Sequence, residues 1–205
     1  MPKLSYKKTS NCNLSSKNTM KQSLIDTAVE AMRNGGVIAY PTEAVFGLGC
    51  DPDNRAALNA LLALKQRPAS KGLILIAADV SQLVPYIAPV DEAMLQRALK
   101  TWPGPVTWLF PCARNIEPLL IGEFTTIAVR VTAHPVAREL CQAFGKAIVS
   151  TSANVTGQLP ARTVAEVKAQ FADHLAAIVD GSVDLQAQPS EIRDLVSYKV
   201  IRSSS

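Results

Sequence analysis

The residues best suited to chemistry form a basic cluster in the first half of the chain. Between Asp53 and Asp79 the sequence carries no acid and four cations, Arg55, Lys65, Arg67 and Lys71. An arginine guanidinium is a planar fork that suits phosphate or carboxylate, while a lysine acts as a point charge. Such a cluster is typical of an anion-binding site. The alternative is that cations near the end of a helix only complement its dipole.

A second candidate is the segment from Ser150 to Asn154, which reads Ser-Thr-Ser-Ala-Asn. It comes directly after an apolar run that predicts a buried strand, and ligand-binding loops of α/β sheets lie at such places. Its hydroxyl and backbone N–H groups are able to surround phosphate oxygens. The alternative is a turn whose serine and asparagine side chains satisfy their own backbone.

Five polar residues elsewhere are weaker candidates when each is taken alone: Thr42, Arg130, His134, Ser190 and Arg202. Arg130 is the strongest of them, since it lies near the end of a predicted strand, although an arginine there is more often a surface cation. A lone histidine before proline is more often a capping or packing residue. Glu43, beside Thr42, either orients a substrate amine or accepts N–H groups of its own turn.

Familiar catalytic signatures are absent from the sequence. It contains no G-x-x-x-x-G-K-[ST] phosphate loop, no G-x-G-x-x-G dinucleotide fingerprint and no G-x-S-x-G nucleophile elbow. His134 and His174 are the only histidines, and neither has a carboxylate partner at helical spacing. We therefore expect no metal bound by protein side chains alone.

The elements that must position these residues alternate between helix and strand. Apolar periodicity and cap residues predict helices that end before Asn34, Pro68, Ile87, Thr101, Gly145 and Ala172; the third of them runs from Val80 to Tyr86. Apolar runs predict strands at 37–40, 45–49, 73–77, 106–110, 127–131, 147–150, 177–179, 191–196 and 198–202. Interleaving of this kind predicts a single α/β domain with a twisted, mixed sheet and flanking helices.

Composition supports one globular domain with a separate basic tail. The 205 residues are 48% hydrophobic and 19% charged, and no apolar run is long enough to span a membrane. The net charge of +4 comes entirely from four lysines in residues 1–20, because the other 17 cations balance 17 acids. We expect residues 1–19 to be a disordered tail and residues 20–205 to form the domain.

The cysteines and the N-terminus favour a cytoplasmic protein. Four cysteines are widely spaced without a C-x-x-C pair, which favours reduced thiols. The first residues lack the apolar segment of a secretory signal. A basic arm that touches RNA is the alternative interpretation of the tail.

Read together, the motifs resemble the YrdC-like family. They are, in order, Tyr40-Pro-Thr-Glu-Ala-Val-Phe-Gly-Leu-Gly49, Lys65-Gln-Arg67-Pro68, Trp102-Pro-Gly-Pro-Val-Thr107, Ala128-Val-Arg-Val131 with His134-Pro135, and Ser150-Thr-Ser-Ala-Asn154. The resemblance runs from Lys21 to Arg202. The segments 71–76 and 189–193 are similar to those of the short bacterial branch of the family.

This resemblance implies a deep basic cavity and the synthesis of L-threonylcarbamoyladenylate from L-threonine, bicarbonate or CO2, and ATP, with release of pyrophosphate. It implies that ATP is bound by Lys65, Arg67, Arg130, Ser150, Ser152, Asn154 and Arg202. It implies threonine contacts at Thr42, Lys71, His134 and Ser190, and no nucleophile or general base. Mg²⁺ is expected to enter with ATP, held mainly by phosphate oxygens and water.

The implied product serves threonylcarbamoyl modification of the tRNA adenosine beside the anticodon. Downstream tRNA threonylcarbamoyl transferase proteins are therefore expected partners, with at most weak direct contact to tRNA. Two alternatives stay open at this point. One is an RNA-binding protein of the same family, which the 5% aromatic content and the neutral domain disfavour. The other is a carbamoyl or adenylyl transferase with a different acceptor.

Overall fold

A computed structural model describes residues 12–188 and 190–203. The helices of the described chain are α1 (Cys12–Arg33), α2 (Arg55–Lys65), α3 (Glu92–Leu99), α4 (Pro118–Ile121), α5 (Pro135–Phe144) and α6 (Val164–Phe171). The strands are β1 (Ile38–Pro41), β2 (Phe46–Gly49), β3 (Ile74–Ala77), β4 (Val106–Pro111), β5 (Thr126–Val131), β6 (Ile148–Ser152), β7 (Ala177–Ile178), β8 (Glu191–Asp194) and β9 (Val200–Arg202).

All of these strands belong to one mixed sheet, in the order β7-β1-β2-β6-β3-β5-β4-β8-β9. The pairs β1–β7, β3–β5 and β4–β8 are parallel, and the remaining pairs are antiparallel. The predicted α/β class and mixed sheet are thus confirmed. Among the described residues, no helix combines the length and the apolar character needed to cross a bilayer.

The two faces of the sheet are covered by different helices. On one face Leu48, Leu75 and Trp108 pack in a cluster that also contains Leu58 and Leu61 of α2. On the other face the strands pack against α1 and α5 in a second cluster of buried residues, among them Ile25, Ile38, Tyr40, Ile76, Leu140 and Ile148. Both faces of the central strands are therefore buried, which explains their continuous apolar sequences.

Several predicted boundaries differ from the structure. Helix α1 begins at Cys12, before the predicted domain start at Met20. Residues 1–11 of the predicted tail lie outside the described residues, so disorder there stays a prediction. The helix predicted from Val80 is a 3₁₀ turn that ends at Leu83. Helix α4 was not predicted, because a four-residue segment carries too little periodicity.

The end of α2 has a definite local cause. Asn54 caps the helix, because its side chain accepts a hydrogen bond from the N–H of Ala57 at 3.1 Å. At the other end Gln66 adopts the left-handed conformation, with φ of 51°, and its N–H bonds the carbonyl of Ala63 at 3.0 Å. This turn separates the directions of Lys65 and Arg67, although only one residue lies between them.

Candidate active site

A cavity of about 300 Å³ lies on the sheet face that carries Ile74, Arg130 and Ser150. Its wall is formed by the turn after β1, the end of β6, the turn after α2 and the segment that leads into β8. Seven of the eleven residues predicted to bind substrates line it: Thr42, Arg67, Arg130, Ser150, Ser152, Ser190 and Arg202. The remaining four, Lys65, Lys71, His134 and Asn154, are not among the lining residues.

Three guanidinium groups face this cavity from distant parts of the chain. Arg67 donates to the carbonyl of Gly72 at 3.0 Å, and Arg202 donates to the carbonyl of Ser190 at 2.7 Å. Burial and the charge of Arg202 lower the pKa of Arg67, while burial and the charge of Arg130 lower that of Arg202. Because the cations disfavour one another, an anion in the cavity would relieve their repulsion.

The loop after β6 is held in one conformation by its own polar groups. The hydroxyl of Ser152 donates to Oδ1 of Asn154 at 2.6 Å. The Asn154 amide donates to the carbonyls of Val155 and Gln158, both at 3.0 Å. Asn154 therefore braces the loop, while Ser150 and Ser152 line the cavity. The serine hydroxyl groups are placed where they are able to contact a bound anion.

Tyr40 supports this loop from below. It is completely buried, and its hydroxyl donates to the carbonyl of Val149 at 3.2 Å and hydrogen-bonds with Ser150. Burial raises the pKa of Tyr40 far above its usual value, so the ring keeps its proton. A Cβ at Gly49 would lie 2.6 Å from the Val149 carbonyl oxygen and 2.8 Å from the Tyr40 ring. Glycine is required there because the tyrosine occupies the space of a side chain.

Lys65 does not face the cavity. Its ammonium donates to the carbonyl oxygens of Ser152 and Asn154, the latter at 2.8 Å, and the residue is only 2% exposed. Burial, followed by the charge of Arg67, lowers the pKa of Lys65 to about 8. The ammonium is therefore still charged at pH 7. It lies beneath the loop from Ser150 to Asn154, the other segment that the sequence predicts to bind an anion.

Glu43 lines the cavity with its carboxylate. The sequence left two roles open for it, a partner of a substrate amine or an acceptor within its own turn. Its carboxylate lies 2.7 Å from Nη1 of Arg130 and accepts a hydrogen bond from Thr132 at 2.8 Å. Burial alone would raise its pKa, but the charge of Arg130 and the bond from Thr132 outweigh burial and lower it. Nε of Arg130 is buried without a partner in the described structure.

The four residues predicted to contact threonine occupy different places in the structure. Thr42 donates to the carbonyl of Val45 at 2.6 Å, and the Ser190 hydroxyl accepts from Thr107 at 3.3 Å. His134 borders a second, more open hollow of about 400 Å³, where its Nε2 lies 3.1 Å from the carbonyl oxygen of Ser182. Glu43 borders both hollows. Lys71 is exposed and contributes its carbonyl to Arg67.

Two lining residues had no signal in the sequence. Pro160 and Gln188 line the cavity, and neither belongs to a motif or to a predicted helix or strand. The described part of the chain contains no group of three or more histidine, cysteine or acidic residues able to hold a metal ion. A metal at this site would therefore need most of its ligands from a bound molecule or from water.

Fold and cavity define an α/β protein in which three arginines, Arg67, Arg130 and Arg202, line one cavity. The family model Sua5/YciO/YrdC, described as "Telomere recombination", matches residues 30–204. A threonylcarbamoyl-AMP synthase of Photobacterium profundum is 54% identical over 180 residues, which are 87% of this chain and 97% of that protein. The chain belongs to the Sua5/YciO/YrdC family.

Solved structures agree with this assignment. The crystal structure of YciO from E. coli superposes with a TM-score of 0.79 at 29% identity, covering 89% of each chain. The crystal structure of P. abyssi Sua5 complexed with L-threonine has a TM-score of 0.80 at 30% identity. That match covers 86% of this chain and 52% of the other, so this chain spans about half the length of Sua5.

Proposed function

We propose that this protein is a threonylcarbamoyl-AMP synthase. It joins L-threonine, bicarbonate or CO2, and ATP into L-threonylcarbamoyladenylate, and it releases pyrophosphate. The observation that carries the proposal is the convergence of Arg67, Arg130 and Arg202 on one cavity beside a hydroxyl-rich loop, which is what a triphosphate requires. The reaction itself is taken from the relative of 54% identity, whose length is almost fully matched.

The chemistry needs positioning more than it needs a protein nucleophile. The neutral amine of threonine attacks CO2 and loses a proton, which gives a carbamate. A carbamate oxygen then attacks the α-phosphorus of ATP in line, the bond from that phosphorus to the bridging oxygen breaks, and pyrophosphate leaves with the electron pair. Arg67 and Arg202 offset the charge on the phosphates, and the Ser150 and Ser152 hydroxyls orient them.

The threonine is assigned to the part of the cavity bordered by Thr42 and Ser190, because both side chains line it. L-threonine is the ligand named for the P. abyssi Sua5 complex. His134 would reach the substrate from the second hollow, through the wall that Glu43 shares. The contact of Lys71 with threonine stays a prediction from the sequence, and Lys71 does not line the cavity in this structure.

Mg²⁺ is proposed to enter bound to ATP. The described residues offer the cavity Glu43 as a carboxylate, and Arg130 already pairs with it. Phosphate oxygens and water would therefore supply most ligands of the ion, which is the usual arrangement for Mg²⁺ at nucleotide sites. The ion would offset charge on the leaving pyrophosphate.

The product is a mixed anhydride and thus an activated threonylcarbamoyl donor, and we propose that a transferase acting on tRNA consumes it. The downstream threonylcarbamoyl transferase proteins, the weak contact with tRNA and the cytoplasmic location stay predictions from the sequence.

Release of pyrophosphate tests the proposal directly. We expect release that requires ATP, threonine and bicarbonate together, with each omission reducing the rate to background. Serine or another amino acid in place of threonine measures the choice of acceptor. Pyrophosphate release that is indifferent to threonine would reject this activity and favour a transferase with another acceptor.

A further inference from the structure

Lys65 is the least exposed cationic residue that the structure describes beside the cavity, at 2% against 6% for Arg130. Its ammonium donates two hydrogen bonds, and both acceptors are backbone carbonyls of the loop after β6, at Ser152 and Asn154. A carbonyl that accepts from this ammonium is turned toward Lys65. Because Ser152 lines the cavity and Lys65 does not, the loop lies between the cavity and the Lys65 ammonium.

A second pair of hydrogen bonds joins the same two segments. The backbone N–H and the hydroxyl of Thr156 both donate to the carbonyl of Lys65, each at 2.9 Å. The last residue of α2 is thus tied to the loop through its side chain and through its backbone. Helix α2 is itself fixed by the core positions Leu58 and Leu61, so the loop inherits the position of a rigid element.

We propose that Lys65 is a positioning residue that holds the loop from Ser150 to Asn154 in its anion-binding conformation and does not itself contact the phosphates of ATP. This inference rests on the proposed function for the identity of the ligand. Arg67 differs from Lys65 in this respect, because its guanidinium lines the cavity. The Lys-x-Arg sequence therefore contributes one loop anchor and one ligand, on opposite sides of the turn at Gln66.

The two roles of Lys65 make opposite predictions for the protein without ligand. A loop anchor acts whether or not ATP is present, whereas a phosphate ligand acts only when ATP is bound. Burial also favours an anchor, since moving the ammonium into the cavity would leave two loop carbonyls without their donor. Each lost partner would have to be replaced by water or by another donor.

The test compares Lys65→Met, which keeps most of the side-chain volume, with Arg55→Met on the same helix. Arg55 is a suitable control because its side chain is 68% exposed and, among the residues that the structure describes, has Glu117 as its ion-pair partner at 3.8 Å. Amide hydrogen exchange of residues 152–156 is measured on both variants without ligand, and pyrophosphate affinity is measured by calorimetry. Neither measurement requires threonine or turnover, so a failure of this inference is distinguishable from a failure of the proposed function.

For Lys65→Met we expect amide exchange in residues 152–156 to rise about tenfold or more, as for the loss of one charge-assisted hydrogen bond. Pyrophosphate affinity and the KM for ATP should worsen by at least about tenfold, with the KM for threonine unchanged. Arg55→Met should match the wild type in all four quantities. Unchanged loop exchange together with weaker pyrophosphate binding would overturn the inference and make Lys65 a direct ligand.

A second variant keeps the test decisive if Lys65→Met does not fold. Thr156→Val retains every charge and removes only the hydroxyl donor to the Lys65 carbonyl. We expect a smaller change in the same direction, a rise of about threefold in the KM for ATP with faster exchange of the loop amides. A lowered melting temperature of Thr156→Val with unchanged pyrophosphate affinity and an unchanged KM for ATP would mean that the tie is only structural, which overturns the positioning role.

Discussion

The pair of Glu43 and Arg130 allows a prediction that separates charge from shape inside the cavity. Their side chains are 20% and 8% exposed, and the carboxylate oxygen lies 2.7 Å from the guanidinium nitrogen. Glu43→Gln keeps the size of the side chain and one acceptor, and it removes the negative charge. The variant therefore leaves the Arg130 cation in a largely buried place with only a neutral partner.

The expected cost is about 2 kcal/mol. Breaking a fully buried ion pair costs about 3–5 kcal/mol, and the value here is lower because Glu43 is partly exposed and the amide oxygen still accepts from Arg130. For a chain of this length, about 2 kcal/mol corresponds to a melting temperature that falls by about 4–8 °C. Thermal unfolding followed by circular dichroism at pH 7 measures this change.

Dependence on pH gives the sign of the charge effect. The pKa of Glu43 is lowered in the fold, so its stabilising contribution is present above the unfolded value of 4.5 and is lost as pH falls through the folded pKa. The difference in stability between wild type and Glu43→Gln should therefore be constant above about pH 5 and narrow below pH 4.5. Glutamine does not titrate, so the difference in stability shrinks because the wild type loses the contribution of Glu43 at low pH.

Addition of pyrophosphate completes the experiment. An anion in the cavity supplies the partner that Arg130 has lost, so pyrophosphate should raise the melting temperature of Glu43→Gln more than that of the wild type. A variant that melts within about 1 °C of the wild type, with the same response to pyrophosphate, would refute the reasoning. The cavity would then be open enough to water for the pair to contribute nothing.

Three further predictions address the ligand, the packing and the thiols. Arg67→Ala should lower kcat/KM for ATP in the pyrophosphate-release assay by about 10- to 100-fold, the loss of one charge-assisted bond, with a melting temperature close to that of the wild type; wild-type kinetics would place Arg67 outside the binding site. Gly49→Ala should destabilise the fold by about 1–3 kcal/mol in urea unfolding, because the new Cβ would lie 2.6 Å from the Val149 carbonyl oxygen and 2.8 Å from the Tyr40 ring; an unchanged midpoint would show that both the strand backbone and the ring shift to admit the methyl group. Among the cysteines with described side chains, only Cys112 should react readily with iodoacetamide at pH 7.5 by mass spectrometry, since burial raises the pKa of the other two to about 12; rapid labelling of Cys50 or Cys141 would contradict that burial.

The sequence by itself determined the fold class and most of its elements. Continuous apolar runs such as 73–77 and 147–150 predicted strands that are buried on both faces, and the structure confirms them as β3 and β6. Cap residues fixed helix ends closely, because a residue such as Gly145 acts on the backbone next to it. These features are local, so a short window of sequence contains what causes them.

Composition also determined where the charge does not lie. The balance of cations and acids after residue 20 showed that any basic site must be a local cluster. The sequence identified the two candidate segments, around Lys65 and Ser150. It did not distinguish ligand-binding cations from cations that complement the helix dipole, or a ligand-binding loop from a turn whose side chains bond their own backbone. Order along the chain supplied the family resemblance, which the comparison over residues 30–204 confirms.

Tertiary structure decided which of the candidate residues share one cavity and which side of the loop each one occupies. Lys65 and Arg67 are separated only by Gln66, which is in the left-handed conformation. Arg67 nevertheless lines the cavity, whereas Lys65 lies beneath the loop from Ser150 to Asn154. The role of Glu43 depends on β5, which places Arg130 beside it although the two residues are 87 positions apart in the sequence. Contacts between distant segments depend on strand order and burial, and these are properties of the whole packed chain that no local pattern encodes.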